Sequence, residues 1–104
     1  MHIDIHPAAL DELADLPPPL HGKMMRQIDR LAEFGTELRE PHTKPLRDGF
    51  FELRAKAGTV GRAIFVYRKG AHIFILKIFV KDTQKTPPAV LKAAAVRLEE
   101  MIDD

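Results

Sequence analysis

The sequence has no cysteine. Disulfides, thiolate metal centres and cysteine nucleophiles are therefore excluded. Serine is also missing from all 104 residues, which removes serine catalysis. No apolar run approaches the roughly 20 residues that a membrane helix needs. The opening segment, MHIDIHPAAL, has neither a basic start nor a long apolar core, so it does not read as a signal peptide. A cytoplasmic protein with no membrane partner is the expectation. The chain also lacks HExxH, a nucleophile elbow and a phosphate-cradling glycine loop. Its histidines, His2, His6, His21, His42 and His72, are too scattered to form a dense ligand set. His2 and His6 can share a strand face, but two imidazoles without a third ligand are weak evidence, so neither a metal nor a cofactor is expected. Glu99 and Glu100 read as solvated charge on a helix.

Charge is plentiful but unevenly placed. The net value of +1 conceals a basic middle between acidic flanks. Residues 1–41 hold four basic and eight acidic groups, residues 42–85 hold ten and three, and residues 86–104 hold two and four. A concentrated basic stretch is the footprint of a polyanion site. Strand edges also carry Lys and Arg simply to discourage aggregation.

Hydrophobic periodicity predicts an α+β domain of order β-α-α-β-β-β-α, spanning residues 1–104 as one unit. HIDIH alternates like a short strand. Pro7 suits a first helical turn, and Leu10, Leu13 and Leu16 follow at helical spacing. Pro17 to Pro19 end that helix and open the next, in which Met24, Ile28, Leu31 and Phe34 recur in steps of three and four. Gly35 is the expected C-cap. Residues 36–49 read as irregular, with Pro41, Pro45 and Gly49 as breakers. FFELRAKA, VGRAIFVYR and HIFILKIFVK then form three strands joined by short glycine-containing turns, hence antiparallel hairpins. A final amphipathic helix carries Val90, Leu91, Ala94, Leu98 and Met101.

Strand alternation groups Glu52, Arg54 and Lys56 on one side, Arg62 and Arg68 on one side, and Lys77, Phe79 and Lys81 on one side opposite Leu76, Ile78 and Val80. Lys77 interrupts an apolar strand, where an unpaired ammonium is costly. It either opens onto a groove or pairs with Glu52. Arg54, Arg62, Lys77, Lys81 and Lys85, with Tyr67 and Phe79 as ring faces, are the groups that single-stranded nucleic acid requires: cations for phosphate and rings for bases.

Three segments, LADLPPPLHGKMMRQIDRLAEFG, EPHTKPLRDGFFELRA and FVKDTQKTPP, come in an order that resembles the phage-derived Gp49-like, HigB-type toxins of the RelE/ParE superfamily. The resemblance covers nearly the whole chain. It implies a RelE-like fold with helices packed on a mainly antiparallel sheet. It implies a toxin of a type II toxin–antitoxin system, silenced by a cognate helix-turn-helix antitoxin and reaching operator DNA only through it. The implied activity is endoribonuclease cleavage of messenger RNA on the translating ribosome, without metal or cofactor, because the RNA 2′-hydroxyl attacks the adjacent phosphate. Arg54 and Arg62 then bind phosphate and the charge of the transition state. Lys81 and Lys85, which flank the TQKTP turn, serve proton transfer or phosphate contact. Lys77, Phe79, Tyr67, Gln84 and Arg47 are the expected RNA contacts, with Thr83 and Gln84 either positioning RNA or building the turn. Relatives often carry His-Gly-Phe where this chain has Lys77-Ile78-Phe79, so Lys77 must replace that histidine or the mechanism differs. Two other roles are compatible with the superfamily: non-enzymatic inhibition of DNA gyrase, as in ParE-type relatives, and a degenerate toxin that only assists its antitoxin on operator DNA.

Overall fold

The computed structural model describes residues 1–81 and 85–102, with Lys81 described by its backbone alone. The elements run β1 (His2–Ile5), α1 (Pro7–Ala14), α2 (Pro18–Phe34), β2 (Thr43–Pro45), β3 (Phe51–Ala57), β4 (Thr59–Arg68), β5 (His72–Lys81) and α3 (Pro88–Ile102). A single 3₁₀ turn, Gly35–Glu37, follows α2. Among the described residues, no helix is long and apolar enough to cross a membrane.

The helix boundaries have local causes. Pro7 sits in the first turn of α1, and the His6 ring Nδ1 accepts from the Ala8 N–H at 3.0 Å. A proline at the first turn costs no hydrogen bond and presets the helical backbone. The same logic starts α2 after Pro17. Gly35 ends it with φ of +54°, and its N–H donates to the Leu31 carbonyl. A side chain there would also meet the Met1 side chain.

Among the described residues, five strands stand in the order β1-β5-β4-β3-β2. The pairs β2–β3, β3–β4 and β4–β5 are antiparallel, and β1 lies parallel to β5 at the edge. The three hairpin strands are as expected. The segment expected to be irregular differs: Thr43–Pro45 forms a three-residue edge strand against Phe51–Leu53. A strand this short has no period to read, and proline is admissible at an outer edge.

Two cores sandwich the sheet. On one face, Leu13, Leu20, Met24, Leu31, Leu53, Phe65 and Ile75 pack with α1 and α2. On the other, Phe50, Ile64, Val66 and Leu76 pack with Ala94 and the apolar stripe of α3. A register shift lies between Ile64 and Phe65: Ile64 pairs with Lys77, whereas Phe65 pairs with Ile75. Leu76 is the extra residue, and it inverts the alternation of the remaining strand. Ile78 therefore joins the α1/α2 core, while Leu76 and Phe79 both touch the α3 core. Simple alternation had put Leu76 opposite Phe79. A bulge leaves no mark on the period of one strand, since it exists only relative to the neighbour.

Candidate nucleic-acid interface

On the α3 side of the sheet, Arg54, Arg62 and Phe79 stand side by side on three adjacent strands. The neighbouring rows are Lys44, Glu52 and Ile64 on one side and Lys56 with Val60 on the other. The α3 core stops at Ile64 and Phe79. Beyond it, the face carries cations.

Glu52 organises this row. Its side chain is 1% exposed. Arg62 Nη1 and Arg54 Nε both donate to Oε2, the latter at 3.2 Å, and Thr86 Oγ1 donates to Oε1 at 2.8 Å. A buried carboxylate is tolerable only with such partners. In turn it fixes where the two guanidinium groups stand and draws the start of α3 toward the sheet. Arg62 is nearly buried, at 11% exposure, whereas Arg54 is 30% exposed. Arg62 Nε has no partner among the described residues.

Beside this row opens a cleft of about 610 Å³. Lys23, Gln27 and Arg30 line it from α2, Pro41 and His42 from the loop before β2, Lys44 from β2, and Arg54, Lys56 and Arg62 from the hairpin. None of its described lining residues is acidic. The cleft exists because β2 is short. Where β2 ends, the open edge of β3 is completed by His42, whose carbonyl accepts from the Arg54 N–H at 2.9 Å. Gln27 Nε2 donates to the Arg54 carbonyl at 2.7 Å and contacts His42 Nδ1 at 3.2 Å, while its Oε1 accepts from Arg30. These three contacts fix the amide orientation, so Nδ1 of His42 accepts and a proton on the ring sits at Nε2. A smaller notch of about 360 Å³ adjoins it, lined by Lys44, Arg47, Glu52, Lys85 and Thr86.

The structure thus brings together Arg54, Arg62 and Phe79, with Arg47 and Lys85 in the adjoining notch. Gln84 and Thr83 lie outside the described residues, as does the side chain of Lys81. Two other candidates go elsewhere. Tyr67 points into the opposite core. It stacks edge-on against Phe51 and Phe65, with ring centres 5.0 and 5.4 Å away, and its hydroxyl donates to the Gly35 carbonyl at 3.3 Å. Burial pushes its pKa up.

Lys77 pairs not across the sheet but with Glu12 of α1, at 2.7 Å. That carboxylate closes the edge of β5 beyond the end of β1. It accepts from the Ile78 N–H at 3.0 Å and from Arg97 of α3, whose Nη1 also donates to the Leu76 carbonyl. One side chain thereby links both helical layers around the sheet edge. Burial raises the Glu12 carboxyl, but the donors Arg97, Lys77 and Ile78 outweigh it, so the pKa is held below the usual 4.5. A lowered folded-state pKa contributes stability above the unfolded value and loses it as pH falls through the folded one. Glu12→Ala is therefore expected to cost about 1–3 kcal/mol near pH 7. The gap between variant and parent should close below about pH 4.5, as read by urea melts across pH.

Cleft residues that sequence reading did not assign to the site include Lys23, Gln27, Arg30, His42, Lys44 and Lys56. Lys23, Gln27 and Arg30 recur at helical steps on one polar face. That spacing was a usable signal, obscured by the acidic balance of the N-terminal segment.

The sequence model of the family described as phage-derived protein Gp49-like matches residues 11–99, which include every residue of the cleft. In fold, the chain is similar to a chain of the crystal structure of the toxin–antitoxin complex RelBE2 from Mycobacterium tuberculosis. The TM-score is 0.59 at 21% identity, covering 77% of this chain and 96% of that one. No curated protein matches the sequence significantly.

Proposed function

The chain belongs to the phage-derived Gp49-like family and has a RelE-type fold, and on that premise we propose that it is the toxin of a type II toxin–antitoxin system, an endoribonuclease that cuts messenger RNA on the translating ribosome. The observation that carries this reading is the cleft in which Lys23, Arg30, Lys44, Arg54, Lys56 and Arg62 converge with no acidic side chain among its described lining residues. Such a surface attracts a phosphate backbone and holds it by charge. Phe79, beside Arg62, offers a ring to an unstacked base.

RNA brings its own nucleophile. The 2′-hydroxyl attacks the adjacent phosphorus, the bond to the 5′ oxygen breaks, and the products are a cyclic phosphate and a 5′-hydroxyl end. The protein has to take the 2′ proton, neutralise the charge growing on phosphate, and return a proton to the 5′ oxygen. Arg54 and Arg62 suit the second task, because guanidinium meets phosphate through two parallel donors and stays protonated. Glu52 is committed to the two arginines and Thr86, so it is not the base. Lys81 and Lys85 remain the candidates for proton transfer, and His42, which lines the cleft with Nδ1 held by Gln27, can offer its Nε2–H to phosphate as a donor. An antitoxin helix with acidic side chains laid over this face would block RNA and neutralise its charge together.

The test is cell-free. Purified protein is added to ribosomes translating a defined messenger, and the RNA ends are read by primer extension. New 5′-hydroxyl ends within the translated region are expected, fading as salt rises through screening of the phosphate contacts. Messenger left intact by protein that still arrests growth would contradict the reading and favour gyrase inhibition.

A further inference from the structure

Away from the cleft, the fold assembles a set of ligating side chains that no local spacing announces. His2 and Asp4 are alternate residues of β1 and so share one side of it. His72 of β5 is the register partner of His2 in the parallel pair. Asp4 stands between the two imidazoles, with Oδ1 3.0 Å from His2 Nε2 and Oδ2 3.5 Å from His72 Nδ1. One ligating atom from each of the three lies within 4.8 Å of the others. A tetrahedral ion with ligands at about 2.0–2.1 Å separates them by roughly 3.3–3.4 Å. The two contacts with Asp4 bracket that spacing.

We propose that His2, Asp4 and His72 form a binding site for a divalent cation of the zinc class, with water completing the coordination. Two imidazoles and one carboxylate suit zinc, cobalt or nickel; magnesium and calcium prefer oxygen. All three side chains are 42–65% exposed, so an ion reaches them from solvent, and small side-chain rotations bring the three ligating atoms to its coordination distance. Arg68, the β4 neighbour of His72, places its guanidinium carbon 5.9 Å from the centre of the Phe74 ring. Along β5 the site stands about 23 Å from Phe79, at roughly 3.3 Å per residue. The ion therefore takes no part at the cleft. It staples β1, the edge strand, to the sheet. This inference stands apart from the RNA-cleavage reading.

The experiment titrates zinc alone into chelator-treated protein and follows melting temperature and calorimetric affinity. In hundredfold excess over the dissociation constant, zinc is expected to raise Tm by on the order of 10 °C. His2→Gln and His72→Gln should each weaken binding about tenfold or more. His2 is largely exposed, so His2→Gln is expected to melt like the parent without zinc, which separates lost binding from lost folding. No zinc-dependent rise in the parent would overturn the proposal. So would an unchanged affinity in the His2→Gln variant.

Discussion

Arg54→Ala is expected to lower messenger RNA cleavage by about a hundredfold or more while the protein stays folded. The reason is its divided role. One nitrogen, Nε, donates to Glu52, while the side chain is still 30% exposed and lines the cleft. Removing it leaves Glu52 with Arg62 and Thr86, so the buried carboxylate keeps its nearest guanidinium. What is lost is a charge-assisted donor at the phosphate, the contact whose strength grows as charge develops there. Arg54→Lys should recover only part of the activity, because an ammonium cannot bridge two phosphate oxygens in parallel. Cleavage within about threefold of the parent for Arg54→Ala would show that the substrate does not pass over this row.

The largest effect on stability is expected at Glu52. Glu52→Ala removes the acceptor shared by Arg54, Arg62 and Thr86 in a fully buried position. Removing one side of a buried ion pair costs about 3–5 kcal/mol, because the nearly buried Arg62 stays desolvated and loses its counter-charge. For a domain of this size that is a fall in Tm of more than about 10 °C. Glu52→Gln keeps an acceptor and the side-chain shape, so it should cost less. It should nevertheless reduce cleavage, since the two guanidinium groups lose the charge that aligns them. Glu52 is a positioning residue in this account. A Glu52→Ala protein that melts like the parent would show that the cluster does not hold the sheet and α3 together.

Much of this architecture was open to sequence reading. Helical steps through Met24, Ile28 and Leu31, and alternation through the three hairpin strands, are properties of single segments and survive into the fold. The residues whose surroundings differ from those expected depend on partners far along the chain. Lys77 reads as a break in an apolar strand, and nothing nearby identifies Glu12 as its counter-ion. Tyr67 looks like a ring among cations, yet β4 alternates it away from Arg62 and Arg68 into the α2 core. Glu52 reads as one of three acids in a basic stretch and as a possible partner of Lys77, when it is the group around which the arginines are set. His42 and Arg30 belong to the cleft because Gln27 ties both to the open edge of β3, which the His42 carbonyl also pairs. The basic middle of the chain pointed to a polyanion, but α2, in an acidic segment, supplies part of the same surface.

The most direct test of the central claim is to map the 5′ ends of cellular transcripts after brief induction of the parent protein and of Arg54→Ala. New 5′-hydroxyl ends in phase with codons are expected for the parent, and they should nearly disappear in the variant. Growth arrest by the parent without new transcript ends, or new ends equally abundant in Arg54→Ala, would contradict it.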